Sequence, residues 1–171
     1  EGSVRVLAVS ASPRRNGNSE FLLGRLIEGM EAQGARVEVV RTHDLGFAPC
    51  SNCGGCRLKG ECVVRDDFAP ISETLRVCDG FVFASPLYFM NIPARGKAFI
   101  DRLQSFWVAK HLLGMDLFGG RRRHGMLTAC SGHCAGPGGA DMFRGIEDTM
   151  THAFDALGLI RRPSLLVCGV E

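Results

Sequence analysis

Short apolar runs alternate with segments of helical period along most of this chain, and that alternation narrows the fold more than any other feature. Val4-Arg5-Val6-Leu7-Ala8-Val9 reads as a strand that ends at Ser10. A helix is predicted over 19–34, where Leu22, Leu23, Leu26, Ile27 and Met30 share one face and Gly34 stands where a helix stops. Asn18 or Ser19 is placed to cap its first turn. Further strands read at 36–40, 80–84, 125–130 and 164–168. Further helices carry Phe68, Ile71, Leu75 and Val77, then Ala98, Phe99, Ile100 and Leu103, then Met142, Ile146, Met150, Phe154 and Leu157. Gly80-Phe81-Val82-Phe83-Ala84 is apolar almost throughout, as a strand covered on both faces must be. Strand and helix in strict alternation predict an α/β fold of three layers around a five-stranded parallel sheet with right-handed crossovers. Residues 107–123 fit no period and read as a crossing segment or a partner surface. A last helix is expected after the fifth strand, but the sequence ends at Glu171.

Length and charge exclude several classes. The 171 residues suit a single domain with one core. Twenty basic against eighteen acidic residues leave a net charge of +2, which argues against a nucleic-acid binder. No apolar run reaches the roughly 18 residues of a membrane span. Glu1-Gly2-Ser3 carries no signal-peptide pattern. With eight cysteines in such a chain, the expectation is a cytoplasmic protein whose thiols are ligands or stay reduced.

In a parallel sheet the ligand sits beyond the carboxyl ends of the strands, so the loops at 10–18, 85–93 and 131–139 are the candidate site. All three are rich in Gly, Pro, Ser or Asn. The first, Ser10-Ala11-Ser12-Pro13-Arg14-Arg15-Asn16-Gly17-Asn18-Ser19, leads from a buried strand into a helix N-terminus, whose free N–H groups and partial positive charge suit a phosphate. It is neither a Walker A loop nor a GxGxxG turn. An ordinary capped turn is the plainer reading of the same residues.

Ser12-Pro13-Arg14 followed by Gly17-Asn18-Ser19 resembles the phosphate loop of the flavodoxin-like NAD(P)H-dependent FMN reductase family. Ser85-Pro86-Leu87-Tyr88, Pro93-Ala94 and Lys97-Ala98-Phe99-Ile100-Asp101-Arg102 resemble a second segment of that family, and Cys130-Ser131-Gly132 with Gly138-Gly139 matches more weakly. The resemblance implies a flavodoxin-like fold and FMN. By analogy Ser10, Ser12, Arg14, Asn18 and Ser19 hold the phosphate. Pro86, Leu87, Tyr88, Phe89, Met90 and Asn91 lie against the flavin ring, and Ser131, Gly132 and His133 lie on its other side. A flat apolar ring with a polar rim needs such a wall and backbone donors. Lys97 and Asp101, at i and i+4, suit a helix-surface pair. Arg121-Arg122-Arg123 suits a nicotinamide 2′-phosphate, an acidic partner or, more plainly, the solvated start of a strand.

An insertion at about 46–66 carries Cys50, Cys53, Cys56 and Cys62, four cysteines within thirteen residues. Gly54, Gly55 and Gly60 allow tight turns between them. Four convergent thiolates satisfy a [4Fe–4S] cluster or a zinc ion, while reduced thiols, a redox disulfide or a packed loop need no metal. The spacing is similar to that of the iron–sulfur flavoproteins, a branch of the same family. Cys78 and Cys168 read as small core residues, Cys130 and Cys134 as residues flanking the third loop.

These readings imply an oxidoreductase in which NAD(P)H reduces FMN and the flavin passes electrons to a quinone, a flavin or another small acceptor. The alternative is an electron carrier that exchanges single electrons with a ferredoxin-like partner through a [4Fe–4S] cluster. The resemblance further implies a homodimer or homotetramer.

Overall fold

The structure, a computed structural model, describes residues 2–132 and 141–170. Strand β1 (Arg5–Ser10) is buried from Val6 onward because parallel neighbours flank it on both sides, β2 (Arg36–Arg41) on one and β3 (Gly80–Pro86) on the other. β4 (His124–Ser131) extends the sheet beyond β3. The outermost position is shared by two short parallel pieces, β5 (Ile160–Arg161) and β6 (Leu165–Cys168), both paired with β4. The order is β2-β1-β3-β4-β5, with β6 beside β4. The expected five-stranded parallel sheet therefore has five positions but six strands. Pro163 falls in the gap, and a residue without an N–H interrupts a ladder.

Alternate residues of each strand face two different cores. On one face Val6, Ala8, Val82 and Ala84 meet Leu23, Leu26, Ile27 and Met30 of α1 (Asn18–Ala32). On the other, Leu7, Val9, Phe81, Phe83 and Leu127 meet α2 (Phe68–Val77), α3 (Ala94–Asp101), the short α4 (Gln104–Trp107) and α5 (Arg144–Ala156). The three expected layers are present. α4 runs on into a single π-helical stretch, Val108–Leu112, so the part of 107–123 that defied a period starts as a helix of altered pitch. Among the described residues no helix is long and apolar enough to cross a membrane.

Two residues change meaning once folded. Arg123 is fully buried, not the solvated start of a strand. Its guanidinium donates to the carbonyls of Cys78 and Leu157, at 2.7 and 2.9 Å, and to that of Leu75. It thereby satisfies carbonyls that the ends of α2 and α5 leave unpaired. It also lies at the amino end of β4, a strand length of roughly 25 Å from the carboxyl end, which removes it from any ligand there. Cys168 is exposed and is not a core residue, whereas Cys78 is buried as expected.

Phe99 joins the layers. Its ring meets Phe68 edge-on at 5.1 Å and lies 6.3 Å from Phe47 and 6.4 Å from Phe83, so one side chain ties α3 to the sheet, to α2 and to the start of the cysteine loop. Phe99→Ala is expected to cost about 3–5 kcal/mol, a large share of the 5–15 kcal/mol typical of a domain. Urea unfolding measures it.

Candidate functional site

The sheet order reverses direction between β1 and β3, so the loops that follow these strands diverge and leave a cleft. Ser12, Arg14, Gly17, Asn18 and Ser19 line it after β1. Pro86, Leu87 and Tyr88 line it after β3, and Cys130, Ser131 and Gly132 at the end of β4. Thus nine of the residues singled out by sequence come together from three separate loops. Ser10, Phe89, Met90 and Asn91 do not join them, and His133 lies outside the described residues. Ser10 is buried beneath the loop, where its hydroxyl donates to Glu20.

The N-terminus of α1 carries no side-chain cap. Its first residue is preceded by Gly17, and neither Asn18 nor Ser19 turns back to bond the first turn. Asn18 instead donates to the carbonyl of Val170 at 3.1 Å, and the Ser19 hydroxyl meets the Cys130 thiol at 2.9 Å. The expected cap is absent: the N–H groups of Glu20 and Phe21 donate to the Gly17 carbonyl at 3.0 and 2.9 Å, which leaves those of Asn18 and Ser19 as the donors at the helix end. The loop is held from behind by Glu20. This carboxylate accepts from the Asn16 N–H at 2.8 Å and is paired with Arg41, while Arg15 is paired with Asp44. Arg14, which lines the cleft, is paired with no carboxylate among the described residues. A free guanidinium beside an uncapped helix N-terminus and the buried hydroxyls of Ser12 and Ser19 fits a phosphate group.

Beyond Tyr88 the chain reverses in a two-residue turn. Tyr88 and Asn91 exchange backbone hydrogen bonds at 2.9 and 3.0 Å, and Phe89 and Met90 between them have φ of +47° and +59°. That geometry favours Asn-Gly, and non-glycine residues hold it under strain, as functional loops often do. The turn rests on α5, where a side chain at Gly145 would meet the Met90 carbonyl at 2.8 Å. Phe89 stands fully exposed at the tip of the turn.

Cys50, Cys53, Cys56 and Cys62 all line a second cavity of about 80 Å³ with Arg102, Trp107 and Val108. That is several times the roughly 10–15 Å³ one water needs, so the thiols face a space. Asn52, Gly54 and Gly60 take left-handed φ values, which fold the loop into its turns. Gly55 instead packs against Val63, where any side chain would collide at 2.6 Å. Burial pushes the Cys56 thiol up, and the other three sulfurs push in the same direction. No three Cys, His, Asp or Glu side chains among the described residues gather as ligands of one metal ion. A four-iron cube spreads its cysteines more widely than a single ion does, and thiols around a shared space fit that wider demand.

Three arginines fasten this loop to the fold. Arg95 donates to the carbonyls of Thr42, Leu45 and Phe47, and Arg76 to that of Gly60 at 3.2 Å. Arg102, 2% exposed, donates to the Ala48 carbonyl at 2.8 Å and to both oxygens of Asp66 at 2.6 and 3.0 Å. Burial alone pushes the Asp66 carboxyl up. Arg102 and the N–H groups of Ala48 and Phe68 outweigh it and hold the carboxyl below its usual range. Lys97 and Asp101 form the expected pair at 2.5 Å on the helix surface, worth only about 0.3–0.5 kcal/mol. Sequence reasoning missed Cys130 as a cleft residue and the role of Glu20. Glu20 stands three residues after Gly17, the position from which a capping-box carboxylate reaches back, so its signal was present.

A parallel sheet in the order 2-1-3-4-5 with a cleft at its switch point defines a flavodoxin-like α/β fold. The family profile described as NADPH-dependent FMN reductase matches residues 4–131, and the chain belongs to that family. It is 33% identical over 126 residues to the iron-sulfur flavoprotein of Methanosarcina thermophila, covering 71% of this chain and 66% of that one. It is 35% identical over 100 residues to an iron-sulfur flavoprotein of Archaeoglobus fulgidus, covering 58% and 46%. The chain thus spans between about half and two thirds of the curated relatives it matches. Among solved structures, an NAD(P)H:quinone oxidoreductase from Methanothermobacter marburgensis superposes with a TM-score of 0.73 at 21% identity, covering 98% of this chain and 85% of that one. An azoreductase from Bacillus anthracis gives 0.66 at 15%, covering 97% and 87%.

Because the Asp66 carboxyl is held low, the ion pair stabilises the fold above the unfolded carboxyl's pKa near ~3.9 and stops doing so as pH falls through the lowered value. Asp66→Asn is expected to cost about 3–5 kcal/mol near neutral pH. The gap in melting temperature between wild type and variant should stay constant above about pH 5 and close below about pH 4. A gap that persists in acid contradicts the ion-pair account.

Proposed function

We propose that this chain is an FMN-dependent oxidoreductase whose flavin takes electrons from NAD(P)H and delivers them to a quinone, a flavin or another small acceptor. The observation that carries the reading is the cleft at the β1/β3 switch point, with an uncapped helix N-terminus and an unpaired Arg14 facing it. Ser12, Arg14, Asn18 and Ser19 would hold the FMN phosphate, with Glu20 and Arg41 fixing the loop behind them. Pro86, Leu87 and Tyr88 would form the wall against the ring, and Ser131 and Gly132 would close the other side. His133 is proposed on that side from the sequence resemblance. Bound FMN supplies the redox chemistry itself, accepting hydride and releasing electrons. The protein's own part is to bind and orient it, and no side-chain acid, base or nucleophile is required.

A second reading is favoured by the four thiols around one cavity. There Cys50, Cys53, Cys56 and Cys62 would hold a [4Fe–4S] cluster, which passes electrons singly, and the partner would be a ferredoxin-like protein. The iron-sulfur flavoprotein relatives support it. Self-association belongs to the same proposal. Trp107, Leu112, Leu113 and Met115 expose apolar surface beside the cysteine loop, and a homodimer or homotetramer would cover it. A cytoplasmic location is proposed with it.

Arg14→Gln removes a charge-assisted bond worth about 1.5–3 kcal/mol, so FMN affinity should fall about tenfold or more. Riboflavin, which has no phosphate, should bind wild type and variant alike. Equal losses for both flavins would contradict a phosphate role for this loop.

A further inference from the structure

The cysteine cavity contains a cation that neither reading above uses. Arg102 is the last residue of the Lys97–Arg102 segment, 2% exposed, and it lines the cavity beside all four cysteines. Its Nη2 donates to the Cys62 sulfur at 3.5 Å as well as to Asp66, and its Nε is buried without a hydrogen-bond partner among the described residues. Its ring-side neighbour is Phe68, with the guanidinium carbon 4.8 Å from the ring centroid. One buried guanidinium is therefore locked by a carboxylate on one edge and directed at a cysteine sulfur on another.

A loop staple would need only the bonds to Asp66 and Ala48. The bond to sulfur adds something else. Hydrogen bonds to ligand sulfurs and nearby positive charge are among the main controls on the reduction potential of an iron–sulfur centre, since both favour the more negative, reduced state. The Asp66 carboxylate offsets part of the charge but leaves the directed N–H intact. Its two oxygens hold the fork so that Nη2 faces Cys62, a fixed direction that a flexible lysine ammonium would not supply.

We propose that Arg102 is a positioning residue for the cysteine-held centre: it fixes Cys62 as a ligand and raises the reduction potential of a cluster bound there. The proposal rests on the cluster reading above and adds to it which side chain sets the poise.

The test is anaerobic reconstitution of wild type, Arg102→Lys and Arg102→Gln with iron and sulfide, followed by redox titration monitored by electron paramagnetic resonance. Iron content and flavin content are measured on each sample. Loss of the bond to sulfur should make the cluster of the Gln variant about tenfold harder to reduce at fixed poise, about 59 mV for a one-electron couple. The Lys variant, which keeps the charge but not the fork, should fall between. The flavin potential should stay unchanged, because Arg102 does not line the flavin cleft. A variant that folds and binds flavin but loads less iron than wild type also supports the proposal, through the positioning of Cys62. Variants that load fully and keep the wild-type cluster potential overturn it and leave a mere staple, visible as lost stability alone. A wild type that assembles no cluster overturns the cluster reading itself, and Arg102 with it, so the two failures are distinguishable.

Discussion

The reversal of strand order between β1 and β3 is the constraint on which the functional geometry depends. Parallel strands joined by right-handed crossovers send successive helices to one face or the other according to the direction of travel. Travel outward from β1 to β2 puts α1 on one face, and travel from β2 across β1 to β3 puts α2 on the other. The loops after β1 and β3 consequently part company. Backbone donors and short polar side chains that would otherwise be buried between helices are exposed in the gap, and the dipole of α1 is aimed into it. The absence of a capping bond on α1 belongs to the same logic: a cap would consume the donors that an anion needs.

A second arrangement is built on the opposite principle. The cysteine loop contains little regular structure beyond one turn, Gly55–Arg57, so its shape comes from what holds its ends. Arg95, Arg76 and Arg102 each donate to backbone carbonyls of 42–60, and Asp66 and Asp67 accept from the N–H groups of Ala48 and Gly46 at 3.2 and 2.6 Å. Charged side chains satisfy polar backbone that a long loop cannot pair with itself. Phe47 and Phe68 then dock the base of the loop on Phe99. The outcome is a mobile-looking sequence, rich in glycine, fixed against a rigid core with its four sulfurs facing one space.

Much of this was legible before folding. The short apolar runs located all five strand positions, and the first helix, within about two residues, and the segments of period 3.6 located the other principal helices, because burial on both faces forces continuous apolar runs in β1 and β3. The loops of the cleft were legible from Ser12, Arg14, Asn18, Tyr88 and Gly132, whose types suit a strand-to-helix anion site. What escaped reading was long-range. Arg123 belongs by sequence to a basic triplet, yet two helix ends 34 and 45 residues away bury it. Asn18 reads as a cap until Val170, 152 residues on, accepts its amide. In each case a distant partner decided the outcome, and no local period records a distant partner.

The central claim is that the cleft at the β1/β3 switch point binds FMN. The most direct measurement is a visible spectrum of anaerobically purified protein, with flavin, iron and acid-labile sulfide quantified per chain. The account predicts flavin absorption with FMN released on denaturation; about four iron and four sulfide per chain, the content of one four-iron cluster, would favour the electron-carrier reading, and flavin without iron the reductase reading. Protein that binds no flavin even after reconstitution with FMN would contradict it.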